Sequence, residues 1–411
     1  MKQNPNYILC QISNVPYLLP VGQAIADHKR GLRTNATGVF LWNLLKKEHT
    51  LDEILMECAS YYEIPREQLP EFRQDITHFI QQLCAYDILI DSEKLTDNTC
   101  VYSQLQASRD TALKLKEHPS LFAEPRKYLL SIGGLTLSLL CPPEAFPSEF
   151  TSFLIKEYSS GSYSIHQEII LHSGCPTRHT EGTVLLQNKD LIILEEKTQY
   201  LLFFPSAKNH LEIHINKAGS IAHCYCLPPY HHDFHYDFFH AVRLVYLYLA
   251  QQHNMVALHS ASILYQDKLW LFSGQSGTGK STHTNLWNRL YHTPIINGDL
   301  NLLSTVNDIP VVHGIPWCGT SGICSTKTYT LGGIILLKQA EENHIEFLSP
   351  DQKIVSVSQR LISPAWNKEM WNKTLEYISS LEEHILICKL HCTKEKEAVD
   401  TIKEEIDHNL I

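Results

Sequence analysis

Gly274-Gln275-Ser276-Gly277-Thr278-Gly279-Lys280-Ser281 is the stretch on which the fold of the carboxy-terminal half turns. It meets the pattern G-x-x-x-x-G-K-[ST] at every fixed position. A β-type run, Lys268 to Ser273, precedes it, and Thr282 to Leu290 follows with a helical pattern. Glycines let the backbone curl so that successive N–H groups face phosphate oxygens, and the start of a helix adds a positive dipole end. The spacing therefore predicts a strand, a phosphate loop and a helix. Residues 274–282 are expected to hold ATP: Gly274, Gln275, Ser276, Gly277, Thr278 and Gly279 through the loop, Lys280 at the β- and γ-phosphates, and Ser281 and Thr282 at the helix start. The Ser281 hydroxyl is expected to bind Mg²⁺.

Working outward, Pro294-Ile295-Ile296-Asn297-Gly298-Asp299 reads as a strand ending in an acid nineteen residues after Lys280. A carboxylate beside a phosphate loop can hold metal or accept a hydroxyl proton. His259 stands fifteen residues before Gly274, in Ala257-Leu258-His259-Ser260-Ala261. With 23 histidines in the chain, a surface or core place is the favoured reading of any one of them taken alone. The segment Val312 to Thr320 is dense in glycine and turn formers, a composition that shapes pockets or tight loops.

Further out, the 411 residues divide into blocks. Residues 1–91 open with short extended pieces, Tyr17 to Pro20 and Gly31 to Thr34. Three helices follow: one capped by Asn35, one opened by the capping box Thr50-Leu51-Asp52-Glu53, and one from Pro70 to Ala85. The last has Phe72, Ile76, Phe79, Ile80 and Leu83 at three- and four-residue spacing. With a closing strand, Ile88 to Ile90, this predicts a winged-helix unit. Residues 92–126 are polar and read as a linker with a helix around Ala107 to Glu117. Residues 127–255 hold β-type runs at 127–130, 168–171, 183–186, 191–194 and 200–204, then a helix from Phe234 to Gln252. Residues 256–411 alternate strands and helices, the pattern of an α/β layered core. The expected fold class is α+β, multidomain.

Composition bounds the function. Lys plus Arg is 34 and Asp plus Glu is 44, a net charge of −10. Residues 1–90 carry eight basic and ten acidic groups, and neither later helix there is basic. That argues against contact with nucleic-acid phosphates. The amino terminus has no charged-then-apolar leader, and no run of eighteen apolar residues occurs, so no membrane span and a cytoplasmic location are expected. The twelve cysteines read as small core residues rather than a disulfide scaffold. His223, Cys224, Cys226, His231, His232 and His235 cluster within thirteen residues. Cys224 and Cys226 have one residue between them, not the two to four of structural zinc sites, so half-buried strand cysteines are the favoured reading. Cys388 and Cys392 are read the same way.

From about Ala257 to Leu337 the chain resembles the HPr kinase family, whose phosphate loop is similar to that of phosphoenolpyruvate carboxykinases. The resemblance implies that His259 and Lys280 act at the phosphoryl-transfer centre, that Ser281 holds Mg²⁺, and that Asp299 accepts the proton of a substrate serine and contacts the metal. The chain departs from the family in three places. Gly298-Asp299 leaves one aspartate of the usual pair. Val311-Val312-His313-Gly314 replaces Glu-x-Arg-Gly, with His313 in the arginine's place. No later segment matches the family's catalytic arginine. The segment His313 to Thr320 more closely resembles a serine-kinase-like branch found beside peptide-modification genes. Residues 15–91 resemble the PqqD family, recognition elements for leader peptides of ribosomally made, modified peptides. That resemblance implies a leader added as a strand, in a groove between Gly31–Thr34 and Phe72–Phe79.

Together these features lead to the expectation of an ATP-dependent kinase for a Ser or Thr hydroxyl of a precursor peptide recruited through its leader. The alternatives are a kinase of a carrier protein or small molecule, and a non-catalytic scaffold that binds nucleotide and peptide. A homo-oligomer is compatible with the sequence.

Overall fold

The computed structural model describes residues 1–22, 24, 29, 31–90, 99–115, 124–156, 164–176, 182–207, 210–227, 232–275 and 277–408. The amino-terminal part begins with β1 (Lys2–Gln3), β2 (Tyr7–Ile12), β3 (Val15–Pro20) and β4 (Leu32–Arg33). Ser13 and Asn14 join β2 to β3, both with positive φ, the two-residue turn whose twist suits a hairpin. Then come α1 (Ala36–Leu44), α2 (Leu51–Tyr61), α3 (Leu69–Ala85) and β5 (Leu89–Ile90). The local signals act as expected. Asn35 accepts from the Gly38 N–H, and the Thr50–Glu53 capping box forms. Ile76, Ile80 and Leu83 of α3 are buried in one cluster with Leu41, Trp42, Ile54 and Cys58. Strands β2, β3 and β4 make one sheet with β4 at its edge, and β1 pairs with β5.

Residues 92–98 and 116–123 of the expected linker lie outside the described residues. Between them α4 (Thr99–Leu115) starts well before Ala107. It packs on the next sheet through Val101 and Leu105, and its Arg109 reaches Glu212. That sheet comprises β6 (Arg126–Ile132), β7 (Leu135–Cys141), β8 (Gln167–Ser173), β9 (Thr183–Gln187), β10 (Ile192–Glu195), β11 (Gln199–Phe203), β12 (Leu211–Asn216) and β13 (Ile221–Cys226). Its order is β6-β7-β8-β13-β12-β11-β10-β9. Cys224 and Cys226 point into the core. His223 lies on the opposite face and contacts His172, their ring nitrogens 3.0 Å apart. His231 lies outside the described residues. No group of three ligating side chains comes together among the described residues.

Helix α5 (His232–Gln252) is the spine between this sheet and the carboxy-terminal one. Its Phe238, Val242, Val245 and Tyr246 share a core with Leu137 and Ile213 on one side and Leu302 and Trp317 on the other. The Tyr246 hydroxyl donates to the Ile132 carbonyl, and the Trp317 indole N–H donates to the Phe239 carbonyl.

The carboxy-terminal part follows in chain order as β14 (Val256–Tyr265), β15 (Lys268–Ser273), α6 (Lys280–Tyr291), β16 (Ile295–Asn297), β17 (Leu300–Val306), β18 (Ile309–His313), β19 (Thr328–Gln339), β20 (His344–Phe347), α7 (Pro350–Ser358), α8 (Lys368–Glu382), β21 (Leu386–Cys392) and α9 (Glu397–His408). Strands β15, β14, β17, β18 and β19 pair in succession, and β19 pairs back to β15, so these five close a ring. Strand β19 also pairs with β21, which extends the sheet to β20. Helices α6 and α9 cover one face through Trp287, Val399 and Ile402. Helices α7 and α8 cover another, together with the β2–β3 hairpin. No helix of the described residues is long and apolar enough to cross a membrane.

Candidate functional site

Strand β15 ends at Ser273, and the chain turns through residues 274–279 into α6. Glycine is required by geometry at three points. Gly277 and Gly279 have φ of 81° and 100°, in the left-handed region. A Cβ on Gly274 would lie 2.5 Å from the Thr278 Oγ1 and 3.1 Å from the Leu337 carbonyl oxygen. The loop is braced by Thr278 Oγ1 donating to the Gln275 carbonyl at 2.8 Å and by Gln339 donating to the Gly277 carbonyl at 3.0 Å. Lys280 folds back over it, donating to the carbonyls of Gly274 at 3.1 Å and Gln275 at 3.4 Å. Ser281 and Thr282 are exposed in the first turn of α6. The N–H groups of that turn have no partners within the helix, so this end is suited to an anion. Ser276 lies outside the described residues.

Asp299 does not end a strand. It occupies the bend between β16 and β17, two residues beyond Asn297. The bend is held by the buried Asn297 side chain, which accepts from the N–H groups of Asp299 at 2.9 Å and Leu300 at 3.1 Å. Behind it, the Asp299 carbonyl accepts from the Ser260 N–H at 2.9 Å. These bonds bring the carboxylate to His259 on β14, with Oδ1 to Nδ1 at 3.2 Å. Ser273 donates to the His259 carbonyl at 2.6 Å, which joins the end of β15 to the same point. Two close approaches shape the floor: a Cβ on Gly298 would meet the Ser321 Oγ at 2.3 Å, and one on Gly319 the Asp299 Cβ at 2.8 Å.

The electrostatics bind this group together. The His259 hydrogen bond, aided by the charges of His259, Arg243 and Lys280, holds the Asp299 carboxyl below its ordinary value against the opposing effect of burial. Burial lowers the Lys280 ammonium, Asp299 works against that, and Arg360 adds to it. Two arginines therefore face the site that no sequence motif marks. Arg243 comes from α5, with its guanidinium largely buried and in the field of Asp299. Arg360 follows α7, and its carbonyl accepts from the His259 N–H at 2.9 Å. Nearby, burial and then Arg243 push the His240 imidazole down to about 4, so it is neutral at physiological pH. His313 goes elsewhere. It is buried with one ring nitrogen 2.7 Å from the Ser304 Oγ and the other 2.9 Å from the Thr328 Oγ1, so both are engaged in a core polar group.

A second site lies on the amino-terminal part. A cavity of about 450 Å³ opens between the segment after β4 and α3. Phe72, Asp75, Ile76 and Phe79 line one side, Asn35 and Thr37 the other, and Tyr62 one end. It shares the Phe72–Phe79 side of the expected groove, but its other wall is Asn35 and Thr37 in place of Gly31–Thr34. Phe40 and Tyr61 stack beside it with centroids 4.0 Å apart, and Tyr62 meets both rings edge-on. Its walls are apolar apart from Asp75 and the two residues after β4.

Comparison with known proteins follows this division. Residues 23–89 match the family model described as coenzyme PQQ synthesis protein D (PqqD). No curated protein matches the chain. Among solved structures, the Hpr(Ser) kinase/phosphatase from Coxiella burnetii is similar over 21% of this chain at 14% identity, with a TM-score of 0.18. The similar region spans 61% of that protein's chain, a little over three-fifths of its length. The chain thus carries a PqqD-type element over residues 23–89, joined to a mixed α+β body.

Proposed function

We propose that this protein is an ATP-dependent kinase that phosphorylates a Ser or Thr hydroxyl of a ribosomally made precursor peptide, with the peptide's leader held on the PqqD-type element. The observation that carries the reading is the meeting of Lys280, the first turn of α6, Asp299 and His259. A cation and a helix start suited to phosphate face a carboxylate kept ionised. In the proposed reaction the bond between the γ-phosphorus and its bridging oxygen breaks, and a bond from that phosphorus to the peptide oxygen forms. Asp299 takes the hydroxyl proton, and ADP leaves with the bridging oxygen. His259 orients Asp299. Lys280, with Arg243 and Arg360 nearby, offsets the negative charge of the phosphates. Ser281 and Asp299 are the residues that fit Mg²⁺, which when bound with ATP neutralises charge on the β- and γ-oxygens.

The groove beside β4 supports the recruitment half of the reading. An extended leader can pair with the outer edge of β4, which has no strand partner among the described residues, while an apolar side chain enters between Phe72 and Phe79. Holding the leader there raises the concentration of the attached acceptor segment around Lys280. The test is intact-mass spectrometry of the short peptide encoded nearest to this gene, incubated with the protein and Mg-ATP. One added phosphate is expected on the full-length peptide. Lys280→Ala is expected to abolish the addition and retain peptide binding. Undiminished turnover in Lys280→Ala would sink the reading.

A further inference from the structure

The leader groove and the kinase centre are joined by a continuous set of contacts. Strand β4 holds to β3 through two register pairs, Tyr17 with Arg33 and Leu18 with Leu32. Tyr17 turns away from the groove. Its hydroxyl donates to Asp351 Oδ2 at 2.6 Å, across 334 residues of sequence, and both side chains are buried. Asp351 lies in the first turn of α7, and its other oxygen accepts from the Ser349 hydroxyl at 2.6 Å. Arg33, on the edge strand itself, is near enough to draw the Asp351 carboxyl downward, after the Ser349 and Tyr17 hydrogen bonds. One end of α7 is therefore tied to β3, the neighbour of the strand that would receive the leader, with Arg33 of that strand close by.

The other end is tied to the kinase centre. Helix α7 is nine residues long, about 13 Å. It is wedged along its length, with Ile354 and Val357 packed among Ile8, Ile12 and Leu19 of the hairpin. Beyond it Arg360 accepts from the His259 N–H, Leu361 bridges to Leu258, and Ile362 donates to the Ala257 carbonyl at 2.9 Å. The strand that presents His259 is thus stitched to the residues that end α7. A rigid helix clamped at both ends shifts as a unit, because packed cores do not deform continuously.

We propose that leader docking on β4 activates the kinase through Arg33, Tyr17, Asp351 and α7, which set Arg360 and the backbone of His259. The leader is then an activator as well as a tether. The inference rests on the kinase reading above and adds its regulation. It requires only that the leader bind more tightly to the β4 arrangement that goes with the active position of α7.

The test uses the full chain and the peptide encoded nearest to it, synthesised as separate leader and core halves. Adding the leader half in trans is expected to raise phosphate transfer to the core half by about 5- to 150-fold, the usual range of coupling between sites. The rise should saturate with leader binding measured by fluorescence anisotropy. Tyr17→Phe keeps the ring and deletes the donor. It should bind the leader normally and keep the unstimulated rate, but lose the stimulation, and Asp351→Asn should do the same. No stimulation in trans, with normal phosphorylation of the intact peptide, would leave the leader a tether only and overturn the relay. Full stimulation in both variants would also overturn it. No phosphate on the intact peptide sinks the kinase reading itself, and the relay with it.

Discussion

Two glycines of one loop offer a controlled displacement of Asp299. Gly319 and Gly322 have φ of 61° and 64°, so alanine at either meets the same left-handed strain, about 1–2 kcal/mol. They differ in what a methyl group would touch. At Gly322 nothing lies within 4 Å. At Gly319 the added carbon falls 2.8 Å from Asp299 Cβ and 2.9 Å from Cγ, about 0.6 Å inside ordinary contact at 3.4 Å. Either the loop or the carboxylate must give way. The Asp299 backbone is pinned through Asn297 and Ser260, so relief comes from a strained shift of Cβ that carries the carboxylate with it, and its His259 contact, at 3.2 Å, is the weakest hold on that group. A misplacement of about 1 Å at a reacting group lowers rate by about 100-fold, so a shift of roughly half that predicts a loss of about tenfold or more. Gly319→Ala is therefore expected to lower kcat by about 10- to 100-fold while Gly322→Ala stays near wild type. Both should melt a few degrees lower, Gly319→Ala the more so because its clash adds to the shared backbone strain. The assay is the initial rate of phosphate transfer to the peptide by mass spectrometry, paired with thermal unfolding and nucleotide binding. Equal losses in the two variants, or wild-type turnover in Gly319→Ala, would refute the role given to Asp299.

Arg243 lowers the Asp299 carboxyl, so Arg243→Met should raise it. A base that must be ionised loses activity as pH falls through its pKa, so the acid limb of kcat/KM should move to higher pH in the variant. An unmoved limb argues against Asp299 as the base. Glu212 makes a further case, away from the site. Burial pushes its carboxyl up, but the close approach of His210, at 3.3 Å, and hydrogen bonds from His214 and Arg109 together outweigh burial and hold it well below the usual range. Its stabilising effect is complete above the ordinary value of 4.5 and is lost as pH falls through the folded value. Glu212→Gln removes the buried carboxylate that Arg109 and His214 bind and should destabilise by about 3–5 kcal/mol, read by urea unfolding at neutral pH. In the leader groove, Phe72→Ser removes an apolar wall worth about 1.5–3 kcal/mol to a bound side chain. Leader affinity should fall by about 10- to 150-fold in anisotropy, and an unchanged affinity would place the leader elsewhere.

Local signals were legible, and distant ones were not. The Thr50 capping box, the Asn35 cap and the apolar stripe of α3 depend on neighbours within four residues, and each element forms where those signals point. The glycine spacing of 274–279 is legible for the same reason, since the turn is made by the residues that name it. In sequence, α4 reads as a linker with a shorter helix because its polar face hides a partner: Arg109 is buried against Glu212, 103 residues away. Strand β12 keeps the alternation of a strand, Leu211, Ile213 and Ile215 against Glu212, His214 and Asn216, but it lacks the unbroken apolar run that marks its neighbours, and its polar face is buried under Arg109 instead of solvated. The turns Gln266-Asp267 and Asn307-Asp308 have positive φ at both residues without the glycine that usually announces such hairpins. Arg243 and Arg360 belong to no motif. They reach the site only because α5 spans the two large sheets and α7 ends beside β14.

The β2–β3 hairpin bears on how such a chain could be assembled from parts. Tyr7 and Leu18 face the amino-terminal helices, whereas Ile8, Ile12 and Leu19 fill a wall of the carboxy-terminal body. Excised at the sequence boundary near residue 91, the amino-terminal unit would carry a bare apolar face into water, and the remainder would be left with an open seam. The two halves are therefore not interchangeable cassettes. A recognition unit grafted from another chain would fit this body only if its own hairpin brought matching residues at those three positions, so exchange of leader specificity is confined to the outward side, around β4 and α3.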